Sequence, residues 1–137
     1  MPFSVMGEAM AEKNNFKVGE CYSRKEIAAK LGGGIQNYLP HKDGHVVCGC
    51  FRKDLNPGAP WEVLPANTDD KRRWAEQFRS QPEAVPIFLK KGSNEWEYQG
   101  RWRCVSVIKD AAIIAQKRRE SGRTSLSMVL KLENVSE

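Results

Sequence analysis

The chain has 137 residues, enough for one domain, and 40% of them are hydrophobic and 28% charged, a balance that excludes a disordered or fibrous protein. Its longest uncharged apolar stretches, residues 46–51 and 111–116, fall far short of the roughly 20 residues needed to cross a bilayer, which excludes a membrane-spanning helix. The net charge of +5 is uneven: residues 1–66 carry 8 Lys and Arg against 7 Asp and Glu, residues 67–137 carry 14 against 10, and residues 101–123 carry 7 against 2.

Residues 1–15 lack periodicity and predict a flexible leader, followed by a single domain over 16–132 and a short tail over 133–137. The alternating segment 16–22 should be a short strand. Ser23 and Glu26 have capping-box spacing, in which the serine hydroxyl accepts an orphan backbone N–H and the glutamate reaches back. The helix they open should stop at Gly32-Gly33-Gly34. Residues 45–51 predict a buried strand, and Asn56-Pro57-Gly58-Ala59-Pro60 is loop by composition. A second helix should begin near Asn67 or Thr68, with Asp69 and Asp70 at its positive end and Trp74, Ala75 and Phe78 as its apolar stripe. Its Lys71, Arg72, Arg73 and Arg79 should mostly face water. Residues 85–90 predict a strand turning at Lys91-Gly92-Ser93-Asn94 into segment 95–99, with Trp96 and Tyr98 on one face. A separate strand over 101–108 follows Gly100, Asp110 caps a third helix closed by Gly122, and 125–132 is a last strand. The order predicts an α+β fold, a small mixed β-barrel or curled sheet with three peripheral helices.

The four cysteines are too few for a disulfide scaffold, and the first residues lack a basic segment followed by an apolar one. An intracellular location, cytoplasmic or nucleoid-associated, is therefore expected. His41, His45, Cys48 and Cys50 fall close together, but Cys-x-Cys in a strand puts both thiols on one face, in a run that reads as packed core. Zinc-type Cys-x2-4-Cys spacing is absent, so no metal is predicted. No Gly-x-Ser-x-Gly, phosphate-binding loop or His-Glu-x-x-His is present, and Gly32-Gly33-Gly34 ends a helix where a phosphate cradle would begin one. Neither catalytic residues nor a cofactor are predicted.

Aromatic and basic residues are more informative. Tyr38, Trp61, Trp96, Tyr98 and Trp102 are interspersed with Arg24, Arg52, Lys53, Arg101 and Arg103. Aromatic faces stack on unstacked bases for about 1–3 kcal/mol each, while arginines hold phosphates. The helical position of Trp74 assigns it to the core, and Trp96, Tyr98 and Trp102 read equally well as core. Tyr38 and Trp61 fall in loops, where binding residues concentrate. Gln36 and Asn37 add amides able to read a base edge. The plainer account of residues 34–40 is a crossover loop plugged in by Ile35 and Leu39. A basic second half suits a polyanion, with a solvated basic face as the alternative.

Phe16-x-Val18-Gly19-x-x-Tyr22-x-Arg24-x-Glu26-Ile27, followed by Leu31-Gly-Gly-Gly-x-Gln36-x-Tyr38-Leu-Pro40, resembles the opening of the SRA-like domains at the N-terminus of McrA-type HNH restriction endonucleases. Gly44-x-Val46-Val47, Asn56-Pro-x-Ala-Pro60, Val85-Pro-Ile-Phe-Leu-Lys90 and Trp96-x-Tyr98-x-Gly100-Arg-Trp-Arg103 agree with it, so that it spans residues 16–132. The resemblance implies a PUA-type barrel and a non-catalytic module that recognises a modified base in DNA, extruding it into a pocket. It points to Tyr22, Arg24, Gln36, Tyr38, Trp96, Tyr98 and Arg101, to which the loop and charge pattern add Asn37, Trp61 and Arg103. Aromatics would stack, Gln36 would hydrogen-bond and arginines would contact phosphate. No His-Asn-His module follows Leu132, so restriction activity is not carried over: this chain would read and not cut, unless a separate nuclease partner cuts for it or a longer parent was truncated. The rival readings are an RNA-binding module of the same fold group and a protein-interaction adaptor with no nucleic acid.

Overall fold

Local signals place the three helices of the described residues. The structure, a computed structural model, describes residues 16–135; the predicted leader and the last two residues of the tail lie outside them. Helix α1 (Arg24–Leu31) carries the complete capping box, with Ser23 Oγ accepting from the Glu26 amide and Glu26 accepting from the Ser23 amide at 2.8 Å. Helix α2 (Asp69–Ser80) is capped by Thr68, and α3 (Ala111–Ser121) by Asp110, with Gly122 in the left-handed conformation at its end. Helix α2 buries the predicted Trp74, Ala75 and Phe78. Among the described residues no helix is long and apolar enough to cross a membrane.

The strands are β1 (Cys21–Tyr22), β2 (His41–Lys42), β3 (His45–Val46), β4 (Gly49–Phe51), β5 (Glu62–Val63), β6 (Val85–Gly92), β7 (Glu95–Ile108) and β8 (Val129–Asn134). The fold is α+β with a mixed six-stranded sheet ordered β4-β6-β7-β8-β5. Strand β4 is parallel to β6, the remaining pairs are antiparallel, and β2–β3 form a separate hairpin. Strand β1 is added to β7 through Cys21↔Glu97 and Tyr22↔Trp96. The pairing path ends at β4 and β5, and no closed barrel forms among the described residues.

Four strand expectations change, one of them the last strand, which runs over Val129–Asn134 instead of 125–132 and leaves Leu126 only an isolated bridge to Ala66. The segment 16–22 contributes only β1, because Lys17 and Gly19 instead form a turn whose Gly19 amide donates to the Tyr98 carbonyl at 2.9 Å. The predicted strand 45–51 is split between β3 and β4. Most consequentially, 95–99 and 101–108 are one 14-residue strand, β7. It pairs with β6 over its first half and with β8 over its second, and Trp102 meets Val85 on one side and Asn134 on the other.

Strand β7 passes between two cores. Opposite Pro86–Phe88 it contains one extra residue, since Val85 pairs with Trp102 but Phe88 with Tyr98. Gly100, at φ 89, lies in this bulge and supplies the left-handed backbone that it requires. The extra residue reverses the facing of the side chains that follow it, as far as a second register shift between Cys104 and Ser106. Trp96 and Tyr98 therefore pack with Phe16, Ile27, Cys48, Cys50 and Phe88, whereas Trp102 and Cys104, of the same parity, pack with Phe51, Phe78, Val85, Ile87 and Leu89. A smaller cluster of Leu64, Ile114, Leu126 and Val129 seats α3.

Candidate functional site

A cleft of about 410 Å³ opens where α1, the glycine loop, β4, the β6–β7 turn and the first turn of α2 converge. Five of the ten predicted site residues line it: Arg24, Gln36, Asn37, Tyr38 and Trp96. Local sequence explains how they meet. Gly32 and Gly33 both have φ 85, and a Cβ on Gly33 would lie 2.9 Å from Pro40 Cβ and 3.1 Å from the His41 amide nitrogen. Only glycine lets the chain double back so closely, returning residues 36–38 to the helix they have just left.

Arg24 ties this loop down. Its guanidinium Nη2 donates to the carbonyls of Asn37 at 2.8 Å and Gly34 at 3.3 Å, and its own amide donates to Asn94 Oδ1 at 3.1 Å. The side chain lies over the Trp96 ring, 5.1 Å from the centroid, and is buried with Nε lacking an acceptor. A buried cation on an aromatic face is a strong positioning element. Tyr38 is fixed from the other wall: its hydroxyl donates to the Lys71 carbonyl at 2.6 Å, and Lys71 Nζ sits 4.9 Å over its ring. Burial, reinforced by Asp70 and Cys104, raises the Tyr38 hydroxyl far above the ordinary phenol range, so it donates and never acts as a base.

The cleft contains residues that the sequence did not single out as binders: Lys71 and Lys90 join Arg24 as cations, and Asn94 joins the amides. Arg52, one of the arginines interspersed with the aromatics, lines it too. Lys90 Nζ lies 5.8 Å from the Trp96 ring centroid, and Arg52 makes a two-pronged pair with Asp54 at 2.6 and 3.1 Å. Among the described residues no carboxylate lines the cleft. Lys71 was expected to face water, yet its place one turn into α2 brings it against Tyr38. Asn94 has a signal of its own, since it sits in the predicted hairpin turn, where its φ is 56. Ile35, expected to plug inward, is exposed at the cleft, while Leu39 does plug in.

The other five predicted residues lie elsewhere. Tyr98 is wholly buried against Phe16 and Phe88, and packing rather than stacking on a ligand is its role. Tyr22 packs edge-on to Phe16 at 4.8 Å, and its hydroxyl accepts from the Lys17 amide at 2.8 Å. Trp61, 63% exposed, stands edge-on to Trp102 at 5.4 Å. Beyond the Gly100 bulge, Arg101 and Arg103 lie outside the cleft, and Arg103 pairs with Glu133 at 3.1 Å.

The reactive side chains are otherwise engaged. His41 stacks on Trp74, 3.5 Å between centroids, and among the described residues no three His, Cys, Asp or Glu are placed to hold a metal. Hydrogen bonding to Cys50, together with burial, raises the Cys48 thiol well above its usual range, against the opposing charge of Arg24. Thiols held protonated in this way are poor nucleophiles. The cleft brings cations, amides and ring faces to one space. No protein-family model, curated protein or solved structure matches the chain.

Proposed function

We propose that this chain is a non-catalytic DNA-binding module that holds one extruded base, a modified one in preference, in the cleft between α1 and α2. The observation that carries this reading is the composition of the cleft wall among the described residues: four cations, the amides of Gln36, Asn37 and Asn94, and the rings of Tyr38 and Trp96, with no carboxylate. Cations attract the phosphates, the amides can pair with a base edge, and a modifying group is sensed by shape and apolar contact. A volume of about 410 Å³ falls in the roughly 300–1,000 Å³ range of small-ligand sites, ample for one nucleobase. The curled sheet is, in this reading, an SRA-like barrel of the PUA group. Its two end strands are bridged by a loop: Asn56 donates to the Arg52 carbonyl and accepts from the Leu64 amide.

The test is a binding titration at two salt concentrations. Matched duplexes carry unmodified cytosine, methylcytosine, hydroxymethylcytosine or phosphorothioate linkages, and an RNA duplex of the same sequence is the control. Selective tightening on one modified duplex is the expected result. Preference for RNA would replace DNA with RNA as the partner, since only RNA offers 2′-hydroxyls. Absence of binding at either salt would overturn the reading and leave the exposed Trp61 as the starting point for a protein partner.

A further inference from the structure

A second depression, of about 580 Å³, lies between α2 and α3. Its floor is apolar, formed by Ile114, Leu126 and Met128, and its rim carries Arg72, Arg73, Lys109 and Arg118. Carboxylates answer two of these cations: Asp69 pairs with Arg72, and Glu76 with Lys109 at 2.6 Å. Arg73 and Arg118 make no ion pair among the described residues. Both are nonetheless held in place. Arg118 Nη2 donates to the Leu126 carbonyl at 3.1 Å, and the Arg73 guanidinium lies 4.9 Å over the Trp74 ring. Fixed cations without counter-charges retain their full attraction for an incoming anion and lose little freedom on binding it.

Helix α2 separates this groove from the cleft and contributes to both. Consecutive residues of α2 divide between the two, with Lys71 on the cleft side and Arg72 and Arg73 on the groove side. A hollow of about 90 Å³ shares Tyr38, Leu55, Asn56 and Lys71 with the cleft and reaches Ala66, next to Asn67 of the groove. Arg123 lines that hollow, its Nη1 donating to the carbonyls of Leu55 at 2.8 Å and Leu64 at 2.9 Å. Cations therefore follow one another from Arg52 through Lys71 and Arg123 to Arg73 and Arg118.

We infer that the α2–α3 groove seats the sugar-phosphate backbone flanking the base held in the cleft, with Arg73 and Arg118 on its phosphates and the apolar floor against its sugars. The inference rests on the nucleic-acid reading above and adds to it a contact that positions the strand without reading sequence.

The experiment compares full-length wild type with R73Q/R118Q, R73Q alone and K25Q/K30Q across a salt series, on the duplex that wild type binds best and on its unmodified match. Lys25 and Lys30 are exposed on α1, so the last variant removes equal charge away from the groove. The slope of log affinity against log salt should become shallower by about two in R73Q/R118Q and by about one in R73Q, since each duplex phosphate contributes about 0.9. The ratio of affinities for modified and unmodified duplex should stay as in wild type. R73Q breaks no hydrogen bond in the groove and so reads the effect free of any folding defect. An unchanged slope in both arginine variants, with wild type still binding steeply, overturns the groove assignment and leaves the cleft reading standing. An equal loss in K25Q/K30Q overturns it too, by showing a general charge effect. Failure of wild type to bind any duplex overturns both.

Discussion

At the scale of single residues, the cleft separates groups that build it from groups free to read a ligand. Arg24 is a builder: its guanidinium is spent on the carbonyls of Gly34 and Asn37 and on the Trp96 face. Gln36 is exposed on the cleft wall, and no packing depends on it. Gln36→Ala should therefore change stability by less than about 0.5 kcal/mol. It should also remove most of the discrimination between modified and unmodified duplex, a loss of about 1–3 kcal/mol for one base-edge contact. Thermal melting and the titration together check both parts, and a stable variant with discrimination intact would exclude Gln36 from the reading edge. Arg24, Gln36, Asn37 and Tyr38 were legible in the sequence because they share one short stretch around a glycine run. Lys71 and Lys90 were not, because they reach the cleft from elements 33 and 52 positions beyond Tyr38, and only the tertiary fold brings them there.

At the scale of elements, the helices were legible and most short strands were not. A cap is a signal written within four residues, as at Ser23 and Glu26, whereas β2 and β5 are two residues long and exist only through their partners. Trp96 and Tyr98 do share one face as the alternation predicted, but the extra residue near Gly100 sends Trp102 and Cys104 of the same strand to the other core. Side chains also stand in for strands. Gln81, just past α2, accepts from the Val46 amide at 2.9 Å and donates to the Val46 carbonyl at 2.8 Å, so a buried amide completes the β2–β3 hairpin as a neighbouring strand would. Gln81→Leu should cost about 1–3 kcal/mol, because it leaves a buried N–H and C=O of Val46 unpaired. Urea unfolding measures this, and a loss below half a kcal/mol would mean that water replaces the amide.

At the scale of the whole molecule, one carboxylate joins three distant elements. Glu62 of β5 pairs with Lys117 of α3 at 3.0 Å and Lys131 of β8 at 2.7 Å. Burial alone would raise this carboxyl, but hydrogen bonds from Lys131 and Lys117 outweigh it and hold Glu62 below its ordinary value of 4.5. A carboxyl depressed by folding stabilises the native state fully above its unfolded pKa and loses that contribution as the pH falls through the folded one. Wild type should thus lose stability on acidification below pH 4.5, and Glu62→Gln, already less stable at neutral pH, should lose less over the same interval. Parallel curves for the two proteins in a pH series of denaturant midpoints would assign the acid sensitivity to other groups.

The central position of β7 also sets the timetable of assembly. Of the five pairings in the main sheet, β1–β7, β6–β7 and β7–β8 need β7 itself, and β5–β8 needs a strand made later still. A nascent chain complete through Asn94 holds only the parallel β4–β6 pair. Tyr22 waits for Trp96, a partner 74 positions away, before the strand behind the cleft exists. Contacts of such separation close loops at high entropic cost and place a fold among the slower ones. The cleft, though its first wall precedes its other walls along the chain, is therefore among the last features to be finished.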